Sequence, residues 1–191
     1  MKIECFFVDD ERQKSIPYPQ EIRADSINAG FFDLKSRPDL ATKIVEARDL
    51  PSLLSLVQFF SEKASPYFPI GCEKAVWMEE NGRYAARGYV EFSFNYRKLA
   101  HRQNYQSMHE NFKASVGKAK IRGLSSFEWI VSPVFIDSAG IILESCTIWT
   151  KVADQGTVEL ALKRYDQSMR FLESYFREIA APHGSEKPIF G

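Results

Sequence analysis

The sequence predicts an α+β fold, an antiparallel sheet built from two hairpins with helices packed on it. Two apolar stretches flank Asn81-Gly82, the strongest short-range hairpin signal. A second such pair flanks Asp137-Ser138-Ala139-Gly140. Apolar residues before, between and after these hairpins recur at helical spacing. The predicted order is therefore ααββαββα, after a short N-terminal strand and a long loop.

Residues 1–39 are predicted to form the N-terminal strand and an extended arm. Lys2 to Val8 are mostly apolar, and acidic residues end the strand at once. From Asp9 to Asp39 the chain is polar and is interrupted by Gly30 and three prolines, so we expect little regular structure there.

Residues 40–181 are predicted to form a single domain, with residues 182–191 as a flexible tail. A short helix starts near Leu40, and Asp49 caps a second one with Pro51 at an early helical position. The middle helix is predicted from Tyr96 to Lys120. The last helix is predicted from Thr157 to Ala180, where apolar residues alternate in steps of three and four.

The four main strands are predicted at Glu73 to Met78, Tyr84 to Phe94, Phe127 to Ile136 and Ile141 to Val152. Along the second of them the side chains alternate, which predicts one buried and one wet face. Neither hairpin can cover its apolar face alone, so we expect the two to merge into one sheet.

Composition narrows the class of protein. The 191 residues carry a formal net charge of +0, so no global attraction to nucleic acid or anionic lipid is expected. Three widely spaced cysteines favour a reducing compartment, and we expect a soluble, cytoplasmic protein. No apolar stretch approaches the roughly 18 residues of a membrane span. We predict no metal site and no cofactor.

The middle helix is the one strongly charged segment of the sequence. Between Arg97 and Arg122 there are seven basic residues and one acidic residue. Arg102, His109, Lys113 and Lys120 fall on one flank of its apolar stripe. This flank could bind nucleic acid or an acidic partner, and it could equally be a solvated helix surface.

His101, Tyr105 and His109 recur every four residues on the same helix. The two histidines are two turns apart, too far to share one metal. His101 and Tyr105 are the candidates for lining a ligand pocket between the sheet and the middle helix. No nucleophile motif accompanies them, so no catalytic residue is predicted.

The order of elements from about Asp49 to Ala180 resembles the fold of bacterial secretion chaperones. Asn95-Tyr96, Asp137-Ser138-Ala139-Gly140-Ile141 and Gly156-Thr157-Val158-Glu159 are the segments that carry the resemblance. Type III secretion chaperones and related sensory-regulator-like proteins bind other proteins, often as dimers and without catalysis. The long N-terminal arm and the basic middle helix depart from that pattern.

The leading hypothesis is a non-enzymatic protein-binding module, such as a chaperone, adaptor or immunity-type protein. It would present the sheet face or the last helix to a protein partner, in a homodimer or with a different chain. The alternatives are nucleic-acid binding through the middle helix, and a small-ligand binder or enzyme with a pocket at His101 and Tyr105.

Overall fold

The computed structural model describes residues 2–9, 14–22, 27–119, 125–180 and 187–190. It confirms the predicted α+β class. Three α-helices and eight strands are present among the described residues. The helices are α1 (Pro51–Ser61), α2 (Arg102–Ala119) and α3 (Val158–Ile179). The strands are β1 (Ile3–Phe7), β2 (Lys14–Ile16), β3 (Glu21–Ile22), β4 (Ile27–Asn28), β5 (Tyr67–Met78), β6 (Tyr84–Phe94), β7 (Ser125–Ile136) and β8 (Ile141–Gln155).

The two predicted hairpins merge into one sheet. Hairpin β5–β6 joins hairpin β7–β8 through antiparallel pairing of β6 with β8. The outer edge of β7 pairs with β1 and, further along, with β2, and both of these pairings are parallel. The sheet is therefore mixed instead of purely antiparallel, because the arm contributes two strands that run alongside β7.

The three α-helices lie on one face of the sheet, and the apolar stripe of α3 is buried there. Ala161, Tyr165, Met169 and Leu172 are each 0 % exposed. Each large side chain buried in this way contributes roughly 2 kcal/mol. The helix begins one residue after the predicted start, and Thr157 is its N-cap, because its side chain accepts a hydrogen bond from the Leu160 amide.

Aromatic rings fill the space between the helices and the sheet. Phe60 of α1 and Phe176 of α3 lie 4.9 Å apart between ring centroids. Phe92 of β6 lies 4.9 Å from Phe176 and 5.4 Å from Tyr67 of β5. Edge-to-face pairs of this kind add to the energy of burial, and they fix α1 and α3 against the sheet.

Several predicted boundaries differ from the structure; β7 begins two residues earlier and β8 ends three residues later than predicted. The first predicted helix is a pair of 3₁₀ helices, Pro38–Lys43 and Val45–Ala47. Strand β5 starts six residues earlier than predicted, and its pairing is irregular between Pro69 and Gly71. Helix α2 starts at Arg102 because the residues from Tyr96 onward form turns.

The arm crosses part of the sheet face that the helices leave exposed, where Lys14 contacts the Glu91 carboxylate. Ile16 of β2 is 1 % exposed, and Tyr18 donates a hydrogen bond to the Ile70 carbonyl of β5. Near the C-terminus, the Phe190 ring packs 4.6 Å from the Phe68 ring, and the Ile189 amide donates to the Asn95 carbonyl. The rest of this face is uncovered by any described segment.

None of the described helices combines the length and the apolar character that a membrane span needs.

Candidate functional site

The predicted basic flank of α2 divides into residues with different surroundings. Lys113 is exposed to solvent, whereas His109 is buried. Lys120 lies outside the described residues, so the structure places no cation there. The four positions therefore do not form a continuous row of exposed charges among the described residues.

Arg102 is held in two ion pairs. Its Nη2 lies 2.5 Å from the Asp9 carboxylate, and its Nε lies 2.8 Å from Oε1 of Glu144. Its Nη2 also donates to the carbonyl of Val8 at the end of β1. These contacts tie α2 to β1 and β8 and raise the pKa of Arg102. Its charge is thus matched within the chain.

His109 packs into the core from α2. It is 5 % exposed, and its ring lies edge-on to Trp129 with centroids 5.9 Å apart. Nε2 is buried and has no hydrogen-bond partner among the described residues, while Nδ1 lies 3.5 Å from the Glu110 carboxylate. Burial lowers the pKa of His109, and Glu110 opposes this effect.

The two candidate pocket residues differ in their exposure to solvent. His101 is exposed and precedes α2, whereas a place inside the helix was predicted for it. Tyr105 is 0 % exposed, and its hydroxyl donates to the Glu144 carbonyl at 2.6 Å and lies 3.2 Å from Oγ of Ser93. That hydroxyl links α2 to the sheet, and the structure does not place the two residues around a common space.

A cavity of about 60 Å³ lies between the arm and β5, beside Tyr18, Ile70 and Cys72. This volume corresponds to about two water molecules, far below the roughly 300 Å³ at which ligand pockets begin. Burial raises the pKa of the Cys72 thiol to about 12, so this cysteine is an unreactive thiol at neutral pH. Among the described residues no three His, Cys, Asp or Glu side chains cluster as metal ligands would.

The uncovered part of the sheet, which we call the open face, carries two rows of side chains. Register places three hydrogen-bond donors side by side on β6, β8 and β7, and we call them the donor row. The next row on the same three strands, the acceptor row, presents two aromatic rings and a carboxylate. The donor row is Arg87, Lys151 and Ser126, and the acceptor row is Tyr89, Trp149 and Glu128.

Aromatic rings on the open face are covered by cations of the neighbouring row. The Arg87 guanidinium of β6 lies 4.1 Å from the centroid of the Trp149 ring of β8. The centroid of the Tyr89 ring, also on β6, lies 4.7 Å from that of Trp149. Nζ of Lys151 lies 5.5 Å above the ring of Trp77, which is 36 % exposed. Such contacts contribute roughly 0.5–1 kcal/mol each at exposed sites.

The charges of the open face are unevenly matched. Nζ of Lys151 lies 3.3 Å from Oε1 of Glu79. Arg87 has no carboxylate partner among the described residues, and neither Glu73 nor Glu128 has an ion-pair partner there. A groove of about 190 Å³ runs along this face, lined by Trp77, Arg87, Ser126, Glu128, Trp149 and Lys151. The groove has room for a single large side chain.

Sequence reasoning identified one face of β6 as wet but did not identify the open face as a site. The signal was present as alternation, because Arg87 and Tyr89 on β6 and Trp149 and Lys151 on β8 lie two positions apart. What was missing is the register that sets Trp149 beside Tyr89 and Glu128. Comparisons with protein-family models, with curated proteins and with solved structures give no match for this chain.

Proposed function

We propose that the protein is a non-enzymatic protein-binding module that binds its partner through the open face. The observation that supports this is the aromatic centre of the face, where Trp149 contacts both the Arg87 guanidinium and the Tyr89 ring. Trp, Tyr and Arg are the residue types that most often dominate the binding energy of protein interfaces.

The last helix, the other surface considered from the sequence, has its apolar stripe buried inside the protein. Tyr165, Met169 and Leu172 all pack into the core. At the start of α3, Val158 and Leu160 remain 36 % and 39 % exposed. Two isolated apolar side chains are normal on a protein surface, so the open face is the better docking surface.

Charge favours a protein over a nucleic acid as the partner. The open face places Glu73 and Glu128 in the same plane as Arg87 and Lys151. A phosphate backbone requires an excess of cations along its path, whereas a protein surface can offer both signs of charge. The groove also suits a single inserted side chain, which is how interface anchors bind.

The test compares three immobilised proteins exposed to an extract of the source cells: the unmodified chain, Trp149→Ala and Leu160→Ala. Leu160→Ala is the matched control, since it removes a half-exposed apolar side chain from the helix layer. Truncating a central Trp should weaken binding by about 30-fold, equivalent to roughly 2 kcal/mol.

We expect quantitative mass spectrometry to identify a protein retained by the unmodified chain and by Leu160→Ala but lost from Trp149→Ala. Retention of the same proteins by all three would contradict the proposal. Circular dichroism of each variant checks that the fold is kept.

A further inference from the structure

The donor row and the acceptor row are arranged so that a second copy of the chain could pair its own rows with them. Each of the three central strands carries one donor and, two residues away, one acceptor on the same face. The pairs are Arg87 with Tyr89 on β6, Lys151 with Trp149 on β8, and Ser126 with Glu128 on β7. The two rows are parallel and about 7 Å apart, two residues of strand rise.

We infer that a second copy of this chain docks on the open face, with its donor row against the acceptor row of the first. A two-fold axis that runs across the strands, midway between the rows, places each strand opposite its own copy. Each donor then lies opposite the acceptor of the same strand. This is the self-complementarity that an isologous interface requires. The inference rests on the proposed function, because it uses the same face.

The contacts formed in this way are chemically matched. Ser126, whose hydroxyl has no hydrogen-bond partner among the described residues, meets the Glu128 carboxylate of the other copy. The cations Arg87 and Lys151 meet the rings of Tyr89 and Trp149. The symmetry doubles every contact, so the three donor–acceptor pairs become six.

Opposite charges beside the rows come close together in the same arrangement. Glu73 lies beside Tyr89 in register, so it extends the acceptor row by one strand. In the docked pair it falls next to Arg87 of the other copy. Arg87, which has no carboxylate partner in its own chain among the described residues, therefore meets Glu73, and Lys151, which is already paired with Glu79, comes near Glu128. A chain with a formal net charge of +0 adds no long-range repulsion.

The area of the open face sets the strength that we expect. The two rows, at about 7 Å each, extend across five strands at about 4.8 Å spacing and cover roughly 24 Å by 14 Å. This footprint of about 340 Å² is less than half of the roughly 800 Å² per partner of a standard interface, so the contact belongs with weak, transient interfaces. Dimerisation should therefore appear only in the upper micromolar range of concentration.

The test is a charge-swap series measured by sedimentation velocity over a range of concentrations. Arg87→Glu places a carboxylate beside Glu73 of the other copy, and Glu73→Arg places a cation beside Arg87. Each single variant should weaken dimerisation at least tenfold. The double variant restores opposite charges and should dimerise within about threefold of the unmodified chain. Lys163→Glu, an exposed reversal on α3, is the control and should change nothing.

Glu73 and Arg87 are also diagonal neighbours on β5 and β6 of one chain, so urea unfolding of each variant separates a loss of association from a loss of stability. An unmodified chain that stays monomeric at several hundred micromolar overturns the second-copy inference. A double variant as weak as the singles overturns it as well. If the chain is monomeric yet Trp149-dependent capture of another protein persists, this inference fails alone. If capture is also independent of Trp149, the proposed function fails with it.

Discussion

Replacing Gly88 with alanine tests how closely α3 approaches the sheet. Gly88 lies in the middle of β6 on the side that faces the helices. A methyl group built on its Cα would overlap the backbone carbonyl of Glu73 on β5 and the hydroxyl of Tyr165 on α3. The carbonyl is fixed by the sheet, and the Tyr165 ring is 0 % exposed in the core. Neither obstacle can swing aside as the end of a flexible side chain would.

The expected loss of unfolding free energy follows from the displacement that the new methyl group requires of the sheet backbone and of Tyr165. Adding a methyl group to a well-packed core costs typically 1–3 kcal/mol, and two rigid obstacles place Gly88→Ala at the upper end, about 3 kcal/mol. For a chain of this size that corresponds to a fall of roughly 6–12 °C in the melting temperature. Urea unfolding followed by circular dichroism and tryptophan fluorescence measures the change.

Gly117→Ala is the matched control because it makes the same chemical change in open space. Gly117 lies in α2, and a Cβ there would meet no atom within 4 Å. Removing a helical glycine should stabilise the protein by about 1 kcal/mol. If Gly88→Ala leaves the unfolding free energy unchanged, or shifts it as Gly117→Ala does, the close contact between β6 and α3 is refuted.

Three further predictions concern buried polar groups. The pKa of His109 is lowered in the fold, so its contribution to the unfolding free energy is complete above about pH 6.5 and is lost as the pH falls below that value. In urea titrations, His109→Gln should therefore reduce the fall of the unfolding free energy at acid pH. An unchanged fall would contradict the assignment. Burial lowers the pKa of Lys35 to about 8, so the unfolding free energy of the unmodified chain should rise between pH 8 and 10.4. The rise should be at most about 3 kcal/mol larger than that of Lys35→Met. Parallel pH profiles of the two proteins would contradict this. The hydroxyl of Tyr165 is buried and has no hydrogen-bond partner among the described residues, so Tyr165→Phe should raise the unfolding free energy by roughly 1 kcal/mol, and a loss of stability would show that the hydroxyl is satisfied.

Local patterns predicted the elements whose stabilising contacts lie close in sequence. Helix α3 carries its own cap at Thr157 and an uninterrupted apolar stripe, so its observed start and end differ from the prediction by one residue. The β-turns at Gly82 and Gly140 have a backbone φ of +74° and +61°, which glycine adopts without strain. Both hairpins were accordingly found from the sequence.

Contacts between distant segments could not be predicted in the same way. Strand β1 pairs with β7 over more than a hundred residues of chain, and a short apolar run gives no indication of its partner or direction. The basic flank of α2 shows the same limit for a site. Nothing local to Arg102 indicates that Asp9, two residues after β1, and Glu144 of β8 arrive beside it. A count of charges along a helix therefore overestimates those available to a partner.

The open face keeps its aromatic rings ordered without a partner, and this bears on how it can bind one. Arg87 covers Trp149 and Lys151 covers Trp77, so each cation shields a ring from water while the protein is alone. When a partner binds, its cations and rings form new cation–π contacts with this face. The cation–π contacts that already exist within the chain must be broken first. Each exchange returns only the difference between two similar contacts. Association through this face should therefore be selective in register but modest in affinity, because donors must meet acceptors in the right row before the internal pairs are given up.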